Sequence, residues 1–347
     1  MRLLILGGSP AHIGGVETFC DRAAAALSRH DPQADITRVP TGTAYLSFGT
    51  LPLVLRGMAG LVRHRIRGRG IVWLQYVNLP DLGYLLAARM LGFKVVVTPH
   101  LGKDWRSERN PALRSLSRLL LRLADRIALL ARTQAEEIAL PPLVPRSMIR
   151  TFLPAELLEP FPGSVPRRGP LQIVHASRLS EGKGSFLAID VCAKLRDAGI
   201  PFTARIIGGA DASTRAALEA MIAKRRLTRE IELVGWTPSA ALIGHLRDAD
   251  VLIHLSRVDS YPLIVLEALA SGMVPIAMDL AGARDMIETY DGVIVGTKSP
   301  ADEAAAYLKR AAPADLRQRG AREADRVRAD FAWGEAAAQL ADVLHAA

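Results

Sequence analysis

The chain has 347 residues, a formal net charge of +9, 50% hydrophobic residues and 23% charged residues. That length exceeds one ordinary core and predicts two domains, and the composition excludes disordered and fibrous classes. Apolar runs such as LPLVL and LLL are broken by Arg56 and Arg122 before membrane-spanning length, and Cys20 and Cys192 stand too far apart to suggest a disulfide framework or metal cluster.

The opening MRLLILGGSP is too short in its apolar part for a signal peptide and reads as a first β-strand, so a cytoplasmic chain is expected. Further strands are predicted near residues 71–75, 94–98 and 126–130, with helices around 16–29, 80–91 and 111–124. The proline-rich stretch FLPAELLEPFPGSVPRRGP (152–170) then interrupts the rhythm. A second series of strands follows at 171–176, 202–208, 231–235, 251–256 and 274–278, with helices in the gaps. Alternating strands and helices in both halves predict two doubly wound, Rossmann-like α/β domains facing a cleft. Their boundaries are expected at 1–155 and 171–330, with a linker at 156–170 and a closing segment at 331–347. Ligands of such sheets bind beyond the carboxyl ends of the strands, so strand ends are where chemistry is expected.

Four strand ends carry candidates. LILGGSPAHIGGVETF places Gly14 and Gly15 at the start of a helix, where backbone amides can approach an anion. The glycine pairs are too far apart for a dinucleotide fingerprint, and a surface loop would read the same way. VVVTPHLGKDW puts His100 directly after a strand, suited to donating a hydrogen bond to a substrate oxygen or phosphate, or to an ordinary structural role. HASRLSEGKGSF sets Arg178 and Lys183 just past a strand, with Lys183 between two glycines at a helix start. Two cations, a pliable backbone and a helix N-terminus suit a diphosphate. DSYPLIVLEALASG holds Asp259 and, eight residues on, Glu267, the only charged residue between Asp259 and Asp279. A lone carboxylate on an apolar helix should face a cavity or a hydroxylated ligand.

These residues together resemble the retaining glycosyltransferases of the GT-B fold, of the large family four kind. The resemblance rests on GGVETF, TPH at 98–100, LADRIALL at 123–130, SRLSEGKG at 177–184, DSYPLIVLEALASG and the closing FAWGEAAAQLADVL. It implies an acceptor-binding N-terminal domain, a nucleotide-sugar-binding C-terminal domain, and a final helix crossing back to the first domain. It implies that Arg178 and Lys183 bind the diphosphate of a UDP- or GDP-linked sugar and stabilise the leaving group. Glu267 would hold the ribose hydroxyls, Asp259 those of the transferred sugar, His100 the donor sugar or its phosphate, and Gly14 and Gly15 would let the first loop close. No metal or other cofactor is implied. The family's paired acids are usually both Glu, whereas the first here is Asp259, and Ala281-Gly282 stands where two glycines are usual. These departures make a catalytically weak nucleotide-sugar-binding or scaffold protein an alternative, and another GT-B-like activity, such as a sugar-nucleotide epimerase, is a second.

The charge is unevenly spread. Residues 1–150 carry 21 Lys+Arg against 10 Asp+Glu, about +11, and the remainder carries 23 against 25, about −2. A basic half points to an anionic partner such as a membrane surface or a phosphorylated acceptor, or else to solvated arginine faces. Aromatic residues make up only 5% and no nucleic-acid motif occurs, so no nucleic-acid partner is expected. In NPALRSLSRLLLRLADRI (110–127), Arg114, Arg118 and Arg122 recur beside leucines on a basic amphipathic face. A lipid-linked or sugar acceptor, met at the cytosolic face of a membrane, is the reading this supports.

Overall fold

The computed structural model describes residues 1–9, 14–43, 48–103, 105–159 and 169–347. Most of the predicted linker (residues 160–168), the centre of the first glycine loop (10–13) and Asp104 lie outside the described residues. Two compact units are present: Met1–Phe152 together with Phe331–Ala347, and Leu153–Asp330.

The first unit is built on a six-stranded parallel sheet. Its strands are β1 (Arg2–Leu6), β2 (Asp35–Val39), β3 (Ile71–Tyr76), β4 (Lys94–Pro99), β5 (Arg126–Leu129) and β6 (Arg146–Met148), in the order β2-β1-β3-β4-β5-β6. β1, β3 and β4 are buried along nearly their whole length, which is why they read as unbroken apolar runs. Successive residues point to opposite faces. Leu4, Leu6, Val72, Leu74, Val95 and Val97 meet the helices α2 (Leu51–Ile66), α3 (Leu82–Met90) and α4 (Pro111–Leu121). Trp73 points the other way and meets Phe19 of α1 (Gly15–His30) edge-on at 5.5 Å between ring centroids.

The second unit is a six-stranded parallel sheet of β7 (Leu171–Ala176), β8 (Phe202–Ile207), β9 (Ile231–Gly235), β10 (Val251–His254), β11 (Val274–Met278) and β12 (Val293–Val295). Its order is β12-β11-β10-β7-β8-β9. Three of its helices matter below: α5 (Ser185–Asp197), α6 (Leu263–Ala270) and α7 (Ala281–Tyr290). The helix α8 (Trp333–His345) belongs to the first unit, where it packs along α1. Phe152 links the two helices, with its ring 6.2 Å from Phe19 and 6.3 Å from Trp333.

A buried polar cluster fastens the loops beyond β1, β2 and β3. Asp81 accepts the amides of Val77 and Asn78, both at 2.8 Å, and the hydroxyl of Thr43, which in turn meets Thr41 at 2.9 Å. The amides of Thr41 and Gly42 donate to the Gly8 carbonyl. Burial pushes the Asp81 carboxyl up to about 6, although the three donors favour its ionised form. Its folded pKa lies above its unfolded one, so the folded chain holds the proton more tightly. Stability from this group is therefore present below about pH 4 and is lost as pH rises through about 6, by about 3 kcal/mol. Denaturation of the native chain and Asp81→Asn should show their stability difference moving against the native chain over that window. A pH-independent difference would remove Asp81 as its cause.

Candidate functional site

β7 and β10 are neighbours in the second sheet, and the chain winds outward from them in both directions. This is the topological switch point, where a crevice opens at the carboxyl ends of the strands. The loops that follow these two strands are the ones carrying Arg178, Lys183 and Asp259.

The two loops are stitched together. The Arg257 amide donates to the Gly182 carbonyl at 2.9 Å, and the ammonium of Lys183 is paired with Asp259 Oδ1. Gly184 has φ of +78°, and a Cβ there would sit 2.3 Å from the Leu255 carbonyl oxygen. Only glycine combines that left-handed conformation with so close an approach, and it brings the N-terminus of α5 against the β10 loop. Ser185, the first residue of α5, accepts the Ser180 amide at 3.1 Å, which rounds off the turn holding Lys183.

Asp259 is held from its other side by His254, the last residue of β10, whose Nε2 lies 2.9 Å from Oδ2. Burial alone would raise the Asp259 carboxyl. The hydrogen bond and charge of His254, with the charge of Lys183, outweigh it and hold the group well below the usual carboxylate range. Asp259 is therefore a fixed carboxylate, able to accept hydrogen bonds from hydroxyls but unsuited to delivering a proton at neutral pH. His254 is itself buried, and its Nδ1 finds no hydrogen-bond partner among the described residues. On β7, His175 donates from Nδ1 to the Ile253 carbonyl and faces the hydroxyls of Ser185 and Ser177 with Nε2. Burial lowers its pKa to about 4, so it is a neutral brace between the strands.

Arg178 stands in the loop after β7 and is exposed. Glu267 is 8% exposed, in α6, whose other residues are all apolar. The N-terminal turn of α7 approaches the same loop, since a Cβ on Gly282 would lie 2.0 Å from the Ser260 carbonyl oxygen. Lys183 and Asp259 are thus brought into contact.

His100, Gly14 and Gly15 belong to the first unit. His100 is buried, donates from Nε2 to Gln75 Oε1 at 2.8 Å, and stands edge-on to Phe19. Burial lowers its pKa to about 3, so the ring is neutral. Gly14 and Gly15 are exposed at the start of α1. The two flanks of the loop before them are tied by Glu17, which accepts the Ser9 amide at 2.7 Å and the Gly14 amide at 2.9 Å. Sequence reasoning did not single out Glu17, His254 or His175. Glu17 had a usable signal, an acid three residues past a helix N-cap. Among the described residues no group of three His, Cys, Asp or Glu side chains is placed to hold a metal ion.

Residues 161–325 match the family described as Glycosyl transferases group 1. The matched span is a little under half of the chain. The group 1 span contains β7 to β12 and both loops of the site. The amylovoran biosynthesis glycosyltransferase AmsK of Erwinia amylovora is 30% identical over 147 residues, covering 41% of this chain and 36% of that protein. A glycogen synthase of Mycobacterium tuberculosis is 31% identical over 192 residues, covering 54% and 45%. The chain thus spans less than half the length of these relatives. Among solved structures, a sucrose-phosphate synthase from Thermosynechococcus elongatus aligns with a TM-score of 0.80 at 17% identity, covering 99% of this chain and 98% of that one. HepE of Anabaena, solved in complex with UDP-glucose, aligns with a TM-score of 0.77 at 16% identity over the whole of both chains. These likenesses establish the GT-B fold of paired doubly wound parallel sheets.

Proposed function

We propose that the chain transfers a glycosyl group from a nucleoside diphosphate sugar to an acceptor hydroxyl, with retention of the anomeric configuration. The observation that carries this is the Lys183 loop at the switch point, with a cation and a helix N-terminus beside a carboxylate held ionised. Lys183 and Arg178 neutralise the diphosphate and stabilise the charge that grows on it as the bond to the sugar breaks. Asp259 orients hydroxyls of the transferred sugar and Glu267 those of the ribose. His100, Gly14 and Gly15 serve the donor from the first unit. The acceptor oxygen forms the new bond to the anomeric carbon, releasing a nucleoside diphosphate and a proton. Because the protein's own cations meet the diphosphate, this reading needs no metal.

HepE's complex with UDP-glucose supports a UDP-linked donor, and GDP-linked sugars remain in the same class. The acceptor in this reading is a sugar or a lipid-linked saccharide of polysaccharide assembly, as the name of the AmsK relative suggests. The work would be done in the cytoplasm, peripherally at the membrane. Among the described residues no helix is long and apolar enough to cross a membrane.

A thermal-shift panel of nucleoside diphosphates and nucleotide sugars, run without metal, tests the donor site. A ligand at about a hundred times its Kd stabilises the fold by about 2.7 kcal/mol, a visible shift. Proton NMR of the product from the donor so identified then reads the anomeric configuration, and an inverted linkage would refute retention. Nucleotide binding without turnover in the presence of acceptors would instead favour a binding or scaffold role.

A further inference from the structure

The outer surface formed by α2, α3 and α4 combines two properties that seldom coincide. α3 packs against both α2 and α4 on the same side of the first sheet. Their inner faces fill the core through Leu61, Leu82, Leu85 and Leu121. A surface helix normally turns polar residues to the other side. α2 does not. Gly57, Leu61 and His64 face inward, while Leu51, Leu55, Val62 and Ile66 recur at helical spacing on the opposite side and are exposed. Eight of the eleven exposed large apolar side chains among the described residues lie on these three helices. Of these eight, Ile66 and Met90 are the most exposed, at 80% and 81%.

The same helices carry six arginines and not one acidic residue. Arg56 and Arg63 flank one edge of the α2 stripe and Arg65 the other. From residue 48 to 124 there are thirteen lysines and arginines against three acids, of which Asp81 and Glu108 are buried and Asp104 lies outside the described residues.

From this juxtaposition we infer that the α2–α3–α4 face docks on an anionic phospholipid bilayer. The aliphatic stripe enters the boundary between headgroups and acyl chains, and the arginines beside it meet lipid phosphates. Charge decides between the candidate occupants. A second copy would bring a face of the same sign. A nucleic acid would satisfy the arginines but leave the aliphatic side chains in water, with no aromatic platform for its bases. Anionic lipid satisfies both. The surface is wider than the 110–127 segment that the sequence singled out, and α2 supplies four of its eight exposed apolar side chains.

This inference rests on the surface alone and not on the transferase reading; a chain that bound vesicles but no nucleotide would keep the one and lose the other. The test is co-sedimentation of the full chain with phosphatidylcholine vesicles with and without phosphatidylglycerol. Binding should require the anionic lipid and weaken as salt rises. The pair Leu55→Asp with Ile66→Asp, and separately Arg63→Glu with Arg118→Glu, should each lower vesicle partitioning at least about tenfold. All four positions are exposed, so melting temperature and circular dichroism should be unchanged. No binding to anionic vesicles at low salt overturns the inference, and so does binding that ignores both pairs. A dimer seen by light scattering, which Leu55→Asp with Ile66→Asp dissolves and which binds no lipid, overturns it in favour of an interface between copies.

Discussion

Lys183→Ala should abolish the thermal shift produced by a nucleoside diphosphate and lower turnover by about 10²–10³, the cost of losing one preorganised group at a developing charge. The informative comparison is Asp259→Asn. Lys183 is paired with Asp259, so a diphosphate must draw the ammonium away from a carboxylate that is also held by His254. Removing that carboxylate's charge releases Lys183. Asp259→Asn should therefore bind the bare diphosphate at least as well as the native chain while losing turnover, because the sugar hydroxyls lose their acceptor. Lys183→Ala should lose both. If Asp259→Asn loses diphosphate binding to the same extent as Lys183→Ala, the division of labour between the two residues is wrong. If Lys183→Ala keeps near-native kinetics, Lys183 does not contact the phosphates.

Gly282→Ala should destabilise the second unit by about 2–3 kcal/mol, within the range for overpacking a site that cannot expand. The obstacle to the new methyl group is backbone: the Ser260 carbonyl oxygen at 2.0 Å and Tyr261 Cα at 2.9 Å. Neither can rotate aside, so α7 or the segment 260–261 has to shift. The latter adjoins Asp259, and the substitution should also weaken donor binding. Gly15→Ala is the control, because a Cβ there meets nothing within 4 Å. Its stability should stay within about 0.5 kcal/mol of native. Denaturant midpoints measure both variants, and equal midpoints for the two would contradict the close approach at Gly282. Any loss of nucleotide binding in Gly15→Ala, with stability intact, would mark Gly15 as a residue the ligand itself approaches.

Nine of the twelve strands among the described residues can be read from apolar runs, several to the residue, as with Arg2–Leu6, Leu171–Ala176 and Val274–Met278. The three that escape are DITRV, RSM and VIV, and all three are edge strands. DITRV and RSM carry little apolar surface, as a strand sharing its ladder on one side only can, and RSM and VIV are only three residues long, too short for an apolar run to stand out. α2 escapes for a different reason: its outward stripe is as apolar as its inward one, which erases the amphipathic period that marks a helix. At the site, the strand-end rule leads to Lys183 and Asp259 because both stand in loops past apolar runs. His254 and His175 lie inside those runs. Their importance depends on β7 and β10 being neighbours, which is a property of sheet order and not of either segment.

The return of α8 to the first unit has a consequence for how the chain is made. Residues 153–330 are contiguous and hold all six strands of their own sheet, so they can fold as soon as they leave the ribosome. The first unit is synthesised earlier yet stays incomplete, because Phe152 waits for Trp333, and Arg29 waits for the ring it covers at 4.7 Å. Until residue 345 emerges, the groove along α1 is an open apolar surface in a nascent chain. A chain stopped at residue 330 would display that groove permanently, and should be recovered as aggregate or chaperone-bound material even though every residue of the second unit is intact.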